Sequence, residues 1–249
     1  MNSNNLEKQK KKLLTYFKEN RFEEVIDEGV KHLEERQNDA QLIYLLGLSS
    51  IKLQKFIDAE EFFKKLIFLQ KTAENFYTLG NIQKKQKKFE EAIESFKEAI
   101  KLNPNFSEAY NNLGSAQKSL NKFEEAILSY EKSIDLKASN VEASYNLATL
   151  HYFLENYNEA SNYFKNIINL KARQEEICER YTICLFKIGK KNEVKDFVLK
   201  VISKFPRNRV LNNLLGQSLL SLNSHKEGLS YIKNGAGFLE IDENGIRLI

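Results

Sequence analysis

The feature that most constrains this chain is a residue pattern that returns about every 34 positions along its 249 residues. Within residues 107–140, two apolar patterns of helical period are separated only by Asn121 and Lys122. This spacing predicts two helices joined by a tight turn. A single hairpin cannot bury its apolar face alone, so the period predicts an array of stacked hairpins rather than one globular core.

Two columns of small residues recur at this period. The first lies late in each predicted first helix, at Gly47, Gly80, Gly114, Ala148, Thr182 and Gly216. The second lies early in each predicted second helix, at Val25, Ala59, Ala92, Ala126, Ala160, Val194 and Gly228. Two helices cross at close range where their side chains are small. These columns therefore predict where the helices of one hairpin touch.

Three columns of larger residues accompany them. An aromatic residue is predicted to begin the second helix, at Phe22, Phe56, Phe89, Phe123 and Tyr157. A large apolar residue follows seven positions later, at Phe63, Phe96, Tyr130, Phe164, Val198 and Ile232. Leucine is predicted to close the second helix, at Leu69, Leu102, Leu136 and Leu170. Pro104 and Pro206 share a position at which a helix must stop.

These columns resemble the tetratricopeptide repeat, and the resemblance covers nearly the whole chain. Seven copies are predicted, at residues 6–39, 40–72, 73–106, 107–140, 141–174, 175–208 and 209–242. The resemblance implies an all-α fold within residues 1–242, a right-handed α-solenoid whose first helices line a concave groove. We expect about fourteen main helices.

The C-terminal tail, residues 236–249, departs from the repeat. Two apolar runs surround Asn244 and Gly245, which favours a small β-hairpin, with an irregular segment as the alternative. Because the tail is apolar and follows a weak seventh copy, we expect it to cap the open edge of the last repeat. A docking tail for a partner is the alternative.

No arrangement of residues predicts catalysis, a metal site or a cofactor. His32, His151 and His225 lie in different repeats, without the spacing of a zinc motif. The spacing of Cys178 and Cys184 favours two buried thiols in a reducing compartment. With 38 basic and 34 acidic residues, the charge is too balanced to expect a nucleic-acid partner. We expect no membrane partner and a cytoplasmic location.

The candidate binding site is the groove face of the first helices in the third to fifth repeats, and Arg180 of the sixth repeat continues one of its columns. Its predicted residues are Tyr77, Asn81, Lys84, Asn111, Asn112, Tyr145, Asn146, Tyr152, Phe153 and Arg180. Asn112 and Asn146 resemble the asparagine ladder with which other tetratricopeptide superhelices bind the backbone of extended peptides. Tyr145 stays open between ligand contact and packing between helices.

Lysines on the same face, Lys84, Lys85 and Lys118, are predicted to favour acidic segments. The chain is not expected to carry the carboxylate clamp of the chaperone-binding members of the family, since only Asn146 and Arg180 fit that pattern. The resulting hypothesis is a non-catalytic scaffold or adaptor that binds an extended polypeptide. Three alternatives stay open: a regulatory or substrate-recruiting subunit of an enzyme on another chain, an RNA-binding repeat protein, and a self-associating array.

Overall fold

The computed structural model describes residues 3–35, 37–236, 239–242 and 245–248. Fourteen α-helices account for most of these residues, as the sequence predicts. The chain divides into two compact units, Met1–Ala138 (unit 1) and Ser139–Ile249 (unit 2). The sequence did not predict this division.

Unit 1 is a series of antiparallel helix hairpins. Its helices are α1 (Ser3–Lys18), α2 (Phe22–Glu35), α3 (Ala40–Lys52), α4 (Phe56–Leu69), α5 (Ala73–Lys85), α6 (Phe89–Leu102), α7 (Ser107–Ser119) and α8 (Phe123–Leu136). Each helix packs against the next one along the chain. Every second helix begins at its predicted aromatic residue, which confirms that column.

Unit 2 continues the helical pattern with shorter second helices. Its helices are α9 (Val141–Phe153), α10 (Tyr157–Ile167), α11 (Gln174–Lys187), α12 (Lys191–Val201), α13 (Arg209–Ser221) and α14 (His225–Ala236). The prediction that Leu170 closes a helix is wrong, because α10 ends at Ile167 and a 3₁₀ turn, Lys171–Arg173, follows. The other three leucines of that column do end their helices.

Strands β1 (Leu239–Asp242) and β2 (Gly245–Leu248) pair antiparallel after α14, in the register Leu239 to Leu248 and Asp242 to Gly245. The hairpin is one of the two alternatives that the sequence left open for the tail. Its role as a cap stays a prediction.

Close packing within a hairpin follows from the small-residue columns. A Cβ atom added to Gly114 would lie 2.9 Å from Cδ1 of Tyr130 and 3.1 Å from the carbonyl oxygen of Ala126. Ala126 is itself fully buried. The backbones of α7 and α8 approach so closely at this point that a larger side chain would force them apart.

A buried carboxylate ties the second repeat to the third in unit 1. Glu60 on α4 is 3% exposed and lies 2.7 Å from the Nζ atoms of both Lys64 and Lys88. The side-chain amide of Gln86 also donates to it, at 2.8 Å. Burial alone would raise the pKa of the Glu60 carboxyl, but the hydrogen bonds from these three groups outweigh burial and lower the pKa to about 2.

None of the helices that the structure describes combines the length and the apolar character required to cross a bilayer.

Candidate functional site

In unit 1, four of the predicted residues form one hydrogen-bonded group, here called the unit 1 cluster: Tyr77, Asn81, Lys84 and Asn112. The first three lie on one face of α5, and Asn112 lies on the neighbouring first helix, α7. The Asn112 amide donates to Oδ1 of Asn81 at 2.7 Å and to the hydroxyl of Tyr77 at 3.1 Å. Its Oδ1 atom accepts from Nζ of Lys84 at 3.2 Å. Asn112 therefore joins two successive repeats.

This arrangement decides which groups are left for a ligand. Both amide hydrogens of Asn112 are engaged within the cluster. The Asn81 amide nitrogen and the Tyr77 hydroxyl hydrogen have no acceptor within the described part of the chain. Both groups are donors on half-buried side chains. The wall is thus suited to hydrogen-bond acceptors, such as peptide carbonyls or carboxylates.

Tyr77 also has a packing role. Its ring lies 4.8 Å from that of Phe106 and 6.0 Å from that of Phe96, measured between centroids. These contacts fix the ring, so the hydroxyl is held at the wall by packing rather than by a ligand. Asn111, one position before Asn112, is 5% exposed, so little of its side chain is open to a ligand.

In unit 2, four residues form a second group, here called the unit 2 cluster: Tyr145, Tyr152, Glu176 and Arg180. The hydroxyl of Tyr145 on α9 donates to Oε1 of Glu176 on α11 at 2.7 Å. The same oxygen lies 2.8 Å from Nη2 of Arg180. The Arg180 guanidinium also lies 5.6 Å from the centre of the Tyr152 ring. Within the unit 2 cluster, the positive charge of Arg180 is therefore already paired with the carboxylate of Glu176.

Burial divides the aromatic residues of unit 2 into two kinds. Tyr145 is 8% exposed, which favours the packing alternative that the sequence left open. Tyr152 is half-buried against Tyr157 and Phe164, and this burial raises the pKa of its hydroxyl. Phe153, in contrast, is 64% exposed at the end of α9. Asn146, the second rung of the predicted ladder, is half-buried.

The guanidinium of Arg173 was not predicted as part of the site. It lies 4.5 Å from the centre of the Tyr145 ring, and Arg173 is the last residue of the 3₁₀ turn before α11. A signal exists for hydrogen bonds between successive first helices, but not for Arg173, which lies 28 positions after Tyr145. Asn81 and Asn112 are 31 positions apart, and so are Tyr145 and Glu176. A first-helix residue therefore meets the residue 31 positions later, one helical turn before its own repeat equivalent.

Several concavities lie near or outside these clusters. One of about 580 Å³ borders the unit 2 cluster and is lined by Lys171, Arg173, Gln174, Glu175, Glu176, Glu179 and Phe205. Another of about 530 Å³ lies in unit 1 between α2 and α4, where Phe68 is 86% exposed. Neither the second concavity nor Phe68 was predicted, because both lie on second helices.

The described residues contain no group of three His, Cys, Asp or Glu side chains arranged to hold a metal ion. Cys178 and Cys184 are free, buried thiols, and burial raises their pKa values to about 11 and about 12. Such thiols are protonated at neutral pH, so they act as small apolar side chains in the core of unit 2.

Comparison with protein families gives three matches. Residues 80–120 match a model described as TPR repeat, and residues 107–140 and 141–174 match models described as tetratricopeptide repeat. The chain matches no curated protein sequence at a significant level.

Solved structures similar to the chain are repeat proteins of the same architecture. A crystal structure of MamA is 26% identical and covers 65% of this chain and 95% of its own, with a TM-score of 0.61. The C-terminal part of a TPR repeat-containing protein from Cytophaga hutchinsonii is 18% identical, with 91% and 94% coverage and a TM-score of 0.72. YrrB, whose structure is described as that of a TPR protein with an unusual peptide-binding site, is 20% identical, with 70% and 91% coverage and a TM-score of 0.62.

The recurring columns, the fourteen helices and these matches agree with one another. The chain is a tetratricopeptide repeat protein.

Proposed function

We propose that this protein is a non-catalytic interaction module that binds an extended polypeptide segment along the first helices of unit 1, at the unit 1 cluster. The family supports the coarser part of this proposal, since tetratricopeptide repeats are protein-interaction modules. The peptide-binding site described for YrrB is a property of that protein. It supports the same class of ligand for this chain.

The location of the peptide site at the unit 1 cluster is supported by the hydrogen bonds of the Asn112 side chain. Its three hydrogen bonds hold Tyr77, Asn81 and Lys84 in fixed positions across two repeats. A preorganised polar wall loses less conformational entropy when a ligand binds. An extended backbone offers a carbonyl oxygen at every residue, which the donors of Asn81 and Tyr77 can meet without reading the sequence.

The unit 2 cluster contributes differently to the proposal. Phe153 offers an exposed aromatic surface, whereas Tyr145 and the pair of Glu176 and Arg180 are bonded among themselves. We therefore assign apolar contact to Phe153 in unit 2 and hydrogen bonding to unit 1. Aromatic side chains commonly supply much of the binding energy of a peptide interface.

The test begins with a partner captured from cells of the source organism and mapped to a short binding peptide. The affinity of that peptide is then measured for the wild type and for Asn112→Ala. A loss of about tenfold or more is expected from removing the residue that positions three others. The matched control is Glu131→Ala with Lys132→Ala, on α8 and outside the cluster.

A second variant tests whether the partner binds the concavity between α2 and α4 instead of the unit 1 cluster. Phe68→Ala alters the concavity between α2 and α4 without touching the unit 1 cluster. If Phe68→Ala abolishes binding and Asn112→Ala leaves it intact, the partner binds the second helices and the proposal is wrong.

A further inference from the structure

Eight lysines line one edge of unit 1, where the first helix of a repeat turns into the second. They lie within residues 50–55, 83–88 and 117–122, which contain no aspartate or glutamate. These three segments are here called the basic edge. The equivalent segments of unit 2, residues 151–156, 185–190 and 219–224, contain two lysines in total. The charge is therefore a property of this part of the array and not of the repeat as such.

Helix stability does not account for half of these lysines, although the other four, Lys52, Lys84, Lys85 and Lys118, lie in the last turns of α3, α5 and α7, where a positive charge is favourable. Lys55, Lys88 and Lys122 are the N-cap residues of α4, α6 and α8, and their side chains make no capping hydrogen bond. An N-cap favours Asp, Asn, Ser or Thr, whose oxygen accepts from a backbone N–H. A positive charge there also opposes the helix dipole. Three successive repeats thus carry lysine at a position where it is unfavourable.

Lys87, in the turn between α5 and α6, is a further lysine at a locally unfavourable position. Its backbone has φ of 63°, in the left-handed region that favours glycine or asparagine. The equivalent residues are Asn20, Gln54 and Asn121 in unit 1 and Glu155, Gly189 and Asn223 in unit 2, so four of these six are asparagine or glycine. The third repeat thus places lysine where local conformation favours another residue.

Most of the basic edge is not neutralised by the protein itself. Among the residues that the structure describes, Lys52, Lys55, Lys85, Lys87 and Lys122 form no ion pair. All five are exposed. Lys88 has a buried carboxylate partner, Glu60. In unit 2, by contrast, Lys190 is paired with Glu193 at 2.9 Å. An unpaired row of cations, three of which lie at locally unfavourable positions, indicates a surface that meets an anionic partner.

We propose that the basic edge binds an acidic polypeptide segment that has a carboxylate at about every third residue. The spacing comes from the array. Asn81 on α5 bonds directly to Asn112 on α7, so these first helices are neighbours, and neighbouring helices lie roughly 8–10 Å apart. Three residues of extended chain span about 10 Å. Consecutive turns of the basic edge can then each meet one carboxylate.

The features of the edge favour a polypeptide over a nucleic acid. None of the three segments contains an aromatic residue on which a base could stack. Exposed carboxylates, Glu90, Glu91, Glu124 and Glu125, follow the lysines in the first turns of α6 and α8. They would repel a phosphate backbone, which is charged at every nucleotide, more strongly than a segment with a carboxylate at about every third residue. This inference rests on the proposed function only for the class of ligand, a polypeptide.

The test uses the full chain and fluorescence anisotropy at low salt. The probes are a labelled 15-residue peptide with Glu at every third position, the same peptide with Gln in place of Glu, and a 15-nucleotide oligouridine. The edge variant carries Lys55→Gln, Lys85→Gln, Lys87→Asn and Lys122→Gln. The control variant carries Lys65→Gln, Lys97→Gln, Lys101→Gln and Lys132→Gln, which removes the same charge from exposed positions on the second helices of unit 1.

We expect the wild type to bind the Glu peptide and the edge variant to bind it about tenfold more weakly, with less than about twofold loss in the control. The melting temperature of the edge variant should stay close to or exceed that of the wild type, since three of its four lysines, Lys55, Lys87 and Lys122, lie at locally unfavourable positions. Equal loss in both variants, equal binding of the Gln peptide, or no binding of the Glu peptide would overturn the proposal. So would tighter binding of oligouridine, or a melting temperature lowered in the edge variant alone. Because the edge variant retains Asn112, a failure of the unit 1 cluster as a site would leave these results unchanged.

Discussion

Unit 1 and unit 2 have the same contact between successive first helices, but the contact is made by different types of side chain. At a separation of 31 residues, unit 1 places an amide against an amide, Asn81 and Asn112, and unit 2 places a phenol against a carboxylate, Tyr145 and Glu176. The first pair leaves donors without acceptors. The second pair, together with Arg180, is closed within the protein. One repeat architecture can thus leave donors without acceptors in one region and form a joint whose groups are all bonded to one another in another region.

The largest expected effect tests the packing that both units share. Ala126→Leu in unit 1 adds volume where α7 and α8 touch and should cost about 1–3 kcal/mol of unfolding free energy. Ala160→Leu in unit 2 should cost at least as much, because its partner in the small-residue column is Ala148, which already has a Cβ atom, rather than glycine.

Urea unfolding of each variant measures this effect, with Ala138→Leu at an exposed position as the control. If Ala126→Leu unfolds at the wild-type urea concentration, the column does not mark the helix contact.

The second expected effect compares the free energy that one ion-paired carboxylate contributes to folding in each unit. Glu60→Gln in unit 1 removes a carboxylate that is 3% exposed, although its lysine partners are partly exposed, so we expect a loss of about 1–2 kcal/mol. Glu176→Gln in unit 2 removes a carboxylate with 39% side-chain exposure and should cost less than about 1 kcal/mol.

Acid should reproduce the Glu60 effect. Folding lowers the pKa of this carboxyl from 4.5 to about 2, so its contribution to stability is present above pH 4.5 and is lost as the pH falls toward 2. Urea unfolding at pH 7 and at pH 3 should therefore show a smaller difference for Glu60→Gln than for the wild type. Equal differences would mean that the ionised carboxylate does not stabilise the fold.

A smaller effect is expected at the joint of unit 2. Tyr145→Phe removes the hydroxyl that donates to Glu176, and the ring remains to pack. The cost should be about 1 kcal/mol, with no change in the affinity for a ligand bound at unit 1. Loss of peptide binding in Tyr145→Phe at unchanged stability would show that unit 2 is more than a structural joint.

The sequence predicts the helices of this protein well because each depends on local chemistry that recurs. The aromatic residues Phe56, Phe89 and Phe123 each begin a helix as predicted, and Gly114 packs against Tyr130 as the columns require. The prediction for Leu170 is wrong because α10 already ends at Ile167, so Leu170 lies between α10 and the 3₁₀ turn, and nothing in the column marks this earlier end.

The candidate site was less predictable for a physical reason. A first helix in a solenoid is touched by its own second helix and by its neighbours in the adjacent repeats, so one face can serve packing and ligand binding together. Periodicity places Tyr77 and Tyr145 on that face but does not say that Tyr77 is half-buried and Tyr145 is 8% exposed. Nor does it show that the amide of Asn112 is already bonded within the protein. The separation of 31 residues would have found Asn81 as the partner of Asn112 and Glu176 as the partner of Tyr145, but not Tyr77, which lies 35 positions before Asn112.

The central claim is that the unit 1 cluster is built for a ligand rather than for stability. The most direct measurement compares Asn112→Ala with the wild type in two assays, the free energy of unfolding and the affinity for the mapped partner peptide. Because the groups around Asn112 are half-buried and accessible to water, the loss of stability should stay below about 1 kcal/mol, while the affinity falls about tenfold or more. A large loss of stability with unchanged affinity would contradict the claim and make Asn112 a joint between repeats, as Glu176 is in unit 2.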